Sequence, residues 1–156
     1  MNLSKILLLN CLLISTFISG CFNTKQALST NSMVITTSSA IPYQIAQQYF
    51  IKNNVTGQIP LKITSKAEFE HYFGQAATME HLPTPIDFQQ QYAIVINHPV
   101  TQYNTEIIMH SLTQQSENIV ISYTVKQGDW LGYQSHPFLL LIVSKNIHGK
   151  IILHQK

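Results

Sequence analysis

Asn118-Ile119-Val120-Ile121-Ser122-Tyr123-Thr124-Val125-Lys126 is the stretch that decides the fold. Ile119, Ile121, Tyr123 and Val125 fall on one side of a two-residue repeat, with Ser122, Thr124 and Lys126 on the other. Successive side chains of an extended chain point to opposite faces, so this alternation marks a strand with one face buried and one wet. On either side lie apolar runs of strand length: Tyr92 to Asn97 nearly continuous, Glu106 to Leu112 mixed, and Phe138 to Val143 apolar throughout. Asn146-Ile147-His148-Gly149 reads as a hairpin turn from which Ile151-Ile152-Leu153 returns, so sequential antiparallel pairing is expected.

Further upstream, Tyr49-Phe50-Ile51-Lys52-Asn53 is an aromatic and β-branched run. The turn-rich group Asn54-Val55-Thr56-Gly57 follows it, then Ile59 to Ile63, and these read as strands. Ser65-Lys66-Ala67-Glu68 is a capping box, in which the serine oxygen accepts a first-turn amide while the glutamate reaches back. It predicts a helix over roughly 66–73, with Phe69 and Phe73 one turn apart and Gly74 as the left-handed residue that stops it. Pro83 and Pro85 break any continuation. The fold class expected is α+β and β-rich, an antiparallel sheet of about six strands with one short helix, the alternative being a β-sandwich. Phe69, Phe73, Ile94, Ile96, Ile121, Tyr123, Leu139, Leu141 and Ile152 are expected inside.

The N-terminus reads as an address. Lys5 supplies a positive start, and Ile6 to Ile18 is apolar apart from Asn10, Ser15 and Thr16, too short to span a bilayer. Ile18-Ser19-Gly20-Cys21 closes it and resembles the lipobox of bacterial lipoproteins. That resemblance implies that Cys21 is acylated and becomes the mature N-terminus; the alternative is an ordinary signal cut near Gly20. Residues 1–20 are thus expected to be a lipoprotein signal peptide, 21–42 a flexible tether and 43–156 a single β-rich domain. The tether is rich in Ser, Thr and Asn, with Met33-Val34-Ile35 its one sticky patch, and a coil of that length reaches on the order of 25 Å. No aspartate follows Cys21, which by the same resemblance favours the periplasmic side of the outer membrane, the inner membrane or cell surface being the alternatives. Cys11 would leave with the signal, so Cys21 would have no disulfide partner and the domain must be stable by burial alone.

Only 10% of the 156 residues are charged, and all nine basic residues are lysines. Without arginine the chain lacks the usual fork for phosphates and guanine edges, so nucleic acid is not expected as a partner. Amide and hydroxyl side chains such as Gln89-Gln90-Gln91 and Gln114-Gln115 solvate the surface without a strong field. The seven histidines include no H-x-H pair and no i,i+4 pair, so solvated rings are favoured over a metal site; His148 and His154 flank a turn without a third ligand. No G-x-S-x-G elbow, phosphate-cradling glycine loop or H-E-x-x-H is present. Asp87, between Ile86 and Phe88, reads as a turn residue before it reads as a base. No catalytic residue, metal or cofactor is expected.

Gln127-Gly128-Asp129-Trp130-Leu131-Gly132-Tyr133-Gln134-Ser135-His136-Pro137 reads as a loop holding the single tryptophan. Two readings of it stand. Trp130 either lids the open end of the sheet or, with Tyr133, is displayed as an anchor for a protein partner.

Tyr49-Phe50-Ile51-Lys52-Asn53, Glu68-Phe69, Phe73-Gly74-Gln75-Ala76-Ala77, Pro85-Ile86-Asp87-Phe88 and Gln91-Tyr92-Ala93-Ile94 together resemble small bacterial lipoproteins of unknown function. The order of elements over 49–154 is also similar to the C-terminal domain of the B-subunit family of a protease complex. The resemblance implies an accessory protein that contacts or regulates a protease, and no enzyme. The function expected is a lipid-anchored, periplasmic, non-catalytic binding or accessory lipoprotein. A structural envelope lipoprotein without a discrete partner and an unrecognised hydrolase are the alternatives.

Overall fold

The computed structural model describes residues 38–156 apart from Ala77. The expected signal peptide, Cys21 with its expected acylation, and most of the expected tether lie outside the described residues. The first described strand, β1 (Ser38–Ala40), is followed by Ile41, a core residue, so the ordered domain begins ahead of Tyr43.

Three layers build the domain. The outer sheet has the order β1-β7-β8-β10, where β7 is Thr101–Gln115, β8 is Asn118–Ser135 and β10 is Lys150–Gln155. The inner sheet has the order β2-β9-β6-β4, with β2 Gln44–Ile45, β4 Lys62–Ile63, β6 Gln91–Asn97 and β9 Phe138–Ser144. The third layer holds helix α1 (Lys66–Tyr72) and a two-stranded ribbon of β3 (Tyr49–Ile51) and β5 (Phe73–Gln75). The class is α+β and β-rich. Eight of the described strands are divided between two facing sheets and the other two form the ribbon, so the α+β reading and its sandwich alternative describe adjacent layers of one molecule.

The continuous apolar runs at 92–97 and 138–143 are explained by burial on both faces of the inner sheet. Tyr92, Ile94, Ile96, Leu141 and Val143 face the outer sheet, where they meet Ile41, Leu112, Ile119 and Ile121. Ala93, Val95, Leu140 and Ile142 face the other way and meet Ile63, Phe69 and Phe73. The outer sheet has only one buried face, which is why β8 alternates. Of the expected core, Tyr123 and Leu139 are half-buried, and Ile152 is 37% exposed on β10, an edge strand.

Residues 91–144 form one long antiparallel hairpin folded back on itself. Its tip is the two-residue turn Ser116-Glu117, where Ser116 has φ 53°. The ladder runs from Gln115↔Asn118 through the outer sheet to Thr101↔Ser135, and continues in the inner sheet from Asn97↔Phe138 to Gln91↔Ser144. His98 donates its amide to the Pro137 carbonyl at 2.9 Å, joining the two halves. The register slips between Thr101 and Tyr103 and again between Tyr103 and Thr105. Such bulges are how a strand pair turns a corner from one sheet to another.

Two local expectations are corrected. The chain does not return from 146–149 to pair with β9; it crosses between the sheets and β10 lies parallel to β8, from Lys150↔Asn118 to Gln155↔Tyr123. Gly149 permits this, with φ 150° and so little space that a Cβ would stand 2.4 Å from the Glu117 carbonyl oxygen. The helix stops at an extended Phe73 that runs straight into β5, and Gly74 does not take the left-handed conformation. Gly74 serves instead as a floor for the Phe50 ring opposite it, where any Cβ would collide. The capping box forms with a one-residue offset: Ser65 Oγ accepts from the Glu68 amide at 3.2 Å, while Glu68 Oε2 accepts from the Thr64 amide at 3.3 Å.

Candidate partner-binding bend

The segment read as a loop, 127–137, is strand as far as Ser135 and forms one side of the bend in the long hairpin. Asn104, Glu106, Lys126, Gln127 and Asp129 are exposed polar residues along it. Polar residues on both faces of a strand pair mark a stretch without a core to cover. Against that polar background stand three aromatics: Trp130 is 65% exposed, Tyr133 61% and Tyr103 44%. Tyr103 is the ladder partner of Trp130. Trp130 is therefore no lid over a core.

The glycines set the local shape. Gly132 takes φ 75°, and a Cβ there would lie 3.3 Å from the edge of the indole, so the ring rests over the glycine. At Gly128 a Cβ would lie 3.2 Å from the Asn104 carbonyl oxygen, which brings the two strands close. The indole and phenol faces can take up apolar surface while their polar tips stay wet, which is the behaviour of binding anchors. Tyr103 is missing from the sequence reading of this site. The signal for it is the run Thr101-Gln102-Tyr103-Asn104-Thr105, an alternating strand with an aromatic in place of the aliphatics that line the core further along.

Two concavities flank other parts of the third layer. A cleft of about 780 Å³ lies between α1, the ribbon and the segment 82–88, with Phe69, Phe73 and Phe88 at its apolar base and Lys52, Lys66 and Glu70 at its rim. The rim is self-satisfied: Lys52 Nζ donates to the Glu70 carbonyl, and Lys66 pairs with the Glu70 carboxylate at 3.7 Å. A second, of about 490 Å³, lies at the foot of the bend, where Gln134, Ser135 and His136 approach Phe50, Ile51 and Val55. Burial lowers the His136 imidazole below its ordinary value, a backbone hydrogen bond with His98 opposes this, and the charge of His98 adds to it.

The pool of nucleophiles and bases is dispersed. Asp87 caps a turn, its Oδ1 accepting from the Gln89 amide at 2.9 Å and its carbonyl from the Gln90 and Gln91 amides. Ser122 is buried in the outer sheet between Ser111 and His154, and its hydroxyl has no hydrogen-bond partner among the described residues. His148 and His154 do not face each other across a hairpin, since β10 pairs with β8 instead. Among the described residues no three His, Cys, Asp or Glu side chains gather where they could hold a metal. No protein family, no curated protein and no solved structure matches the chain.

Proposed function

We propose that the protein is a non-catalytic binding module, anchored by lipid at Cys21 to the periplasmic side of the outer membrane, that takes a protein partner on the bend around Trp130 and Tyr133. The observation that carries this reading is the exposure of both aromatics on a stretch of strand with no core beneath it. Displaying large apolar surface to water is unfavourable by roughly 25 cal/mol per Å², so exposed rings gathered on one stretch of the chain are better explained by a surface they cover than by the fold. A purely structural envelope protein has no use for that display. The resemblance over 49–154 suggests a protease complex as the class of partner.

The anchor is supported by the sequence alone, through the singly charged apolar start and Ile18-Ser19-Gly20-Cys21. One acyl chain holds a protein only marginally, so the several chains implied by the lipobox are what fixes it. Metabolic labelling with a fatty-acid analogue tests this. The expected result is label in the parent and none in Cys21→Ser, which moves to the soluble fraction still folded. Label retained by Cys21→Ser would contradict the anchor.

A further inference from the structure

The outer edge of β7 is open. β1 covers it only at Thr113–Gln115, and Ile41 then donates its amide to the Leu112 carbonyl at 2.9 Å. Pro42 has no amide hydrogen with which to continue, and the chain leaves for β2 in the inner sheet. At the other end the bulges at Tyr103 and Thr105 turn the strand into the bend. Between them, residues 105–111 present a row of main-chain donors and acceptors that no strand accompanies among the described residues. Exposed edges are ordinarily guarded by charged side chains, proline, bulges or a covering element. The open stretch of β7 has no lysine, proline or covering strand among the described residues; Glu106 is its one carboxylate, and its bulge lies toward one end, at His110.

We propose that this edge pairs with the same edge of a second copy of the chain, antiparallel about a two-fold axis at Ile108. Two separate observations select that residue. The open stretch 105–111 has Ile108 at its midpoint. In the same register the one carboxylate of the strand, Glu106, meets His110 of the second copy, and the reverse pair forms by symmetry. Ile107 then lies opposite Met109, and Ile108 opposite its own copy. An axis at Glu106 would set two carboxylates against each other, and one at Ile107 would set Glu106 against an isoleucine.

The side chains are disposed for this. Ile107 and Met109 pack against the core between the sheets, so Glu106, Ile108 and His110 belong to the outward face. His110 is the extra residue of a bulge between Met109 and Ser111, and its Nε2 is hydrogen-bonded to the Thr124 hydroxyl on β8, which holds the ring on that face, with no partner for Nδ1 among the described residues. Cross-strand pairs of this kind are the unit of sheet stabilisation. Joining two copies would extend β8-β7 into a continuous sheet across the axis and leave Trp130 and Tyr133 clear of the joint. Pairing at this edge does not depend on the binding role of the bend.

Cysteine cross-linking of the full chain in detergent tests it. Ile108→Cys is expected to give a covalent dimer on mild oxidation, because a residue on the axis of an antiparallel pair lies within disulfide reach of its copy. Ile152→Cys, on the far edge strand, and the parent with its native cysteines are expected to give none. His110→Glu, which sets like charges opposite each other, should raise the dimer dissociation constant roughly tenfold, and adding Glu106→His should restore it. A monomeric parent, equal cross-linking at 108 and 152, or an exchange variant that is folded by circular dichroism yet no better paired than His110→Glu would overturn the proposal. Should His110→Glu fail to fold, the cross-link at 108 alone decides.

Discussion

Tyr103 stands opposite Trp130 on the ladder at the bend of the long hairpin, where neither residue has a core beneath it. The pair exists because β7 and β8 continue past the end of the inner sheet before the chain folds back, and two bulges within five residues of sequence give the strands that freedom. Gly132 lets the indole lie along the backbone without a Cβ in the way. The chain thus holds its one tryptophan in a fixed but solvated position.

That position has a direct optical consequence. Trp130 is the single tryptophan, so intrinsic indole fluorescence reports on the bend alone. The folded protein is expected to emit near the wavelength of a hydrated indole, to be quenched readily by iodide or acrylamide, and to shift little on unfolding. A blue-shifted, protected emission that moves to the red in denaturant would place the ring inside.

Position decides what a truncation costs. Leu141 is fully buried between the sheets, while Ile152 is partly exposed on β10. Leu141→Ala is expected to lose about 2–5 kcal/mol, a large part of the stability of a domain this size, and Ile152→Ala under about 1 kcal/mol. Urea denaturation of both variants checks the contrast. Equal losses would mean that β10 is covered in solution.

Acid should weaken the fold through His136. Its folded-state value is lowered, chiefly by burial, so between that value and the ordinary ~6.5 the unfolded chain binds more protons than the folded one. Stability from this group is therefore whole above about pH 6.5 and is lost as pH falls toward the folded value. The ring is not fully buried, so solvent screening keeps the effect small. Melting temperatures of the parent and of His136→Gln, measured from about pH 7.5 to 5, are expected to show a shallower acid fall in the variant. Parallel curves would remove His136 from the account.

The layers are legible in the sequence to different degrees. The one-face alternation of 119–125 and the continuous apolar runs at 92–96 and 138–143 mark the strands, and Ser65 with Glu68 marks the helix start. The division of those strands between two facing sheets is held in the sequence only as an alternative, because an apolar run does not say which layer covers each of its faces. The partner of β10 is not legible, because Asn146 to Gly149 has the composition of a hairpin turn whether the chain turns within a sheet or crosses between two. Only the Gly149 conformation, fixed by the Glu117 carbonyl distant in sequence, distinguishes these. The bend misleads for a related reason. Gly128, Gly132 and polar neighbours signal a loop to local rules, yet the same residues serve a bulged ladder once Thr101 to Glu106 lie alongside. Trp130 and Tyr133 are identifiable by type, but their exposure depends on how far the hairpin outruns the inner sheet, which is a tertiary property.

Partner capture from native envelope by the parent and by the Trp130→Ala/Tyr133→Ala double variant tests the central claim most directly. Both proteins keep Cys21 unchanged and are compared at equal abundance after in-cell cross-linking, with melting temperature measured alongside. The account predicts a double variant that melts within a few degrees of the parent, since neither ring packs on the core, and that no longer captures the partner. A double variant that is folded and retains the partner undiminished, or one that unfolds, would contradict it.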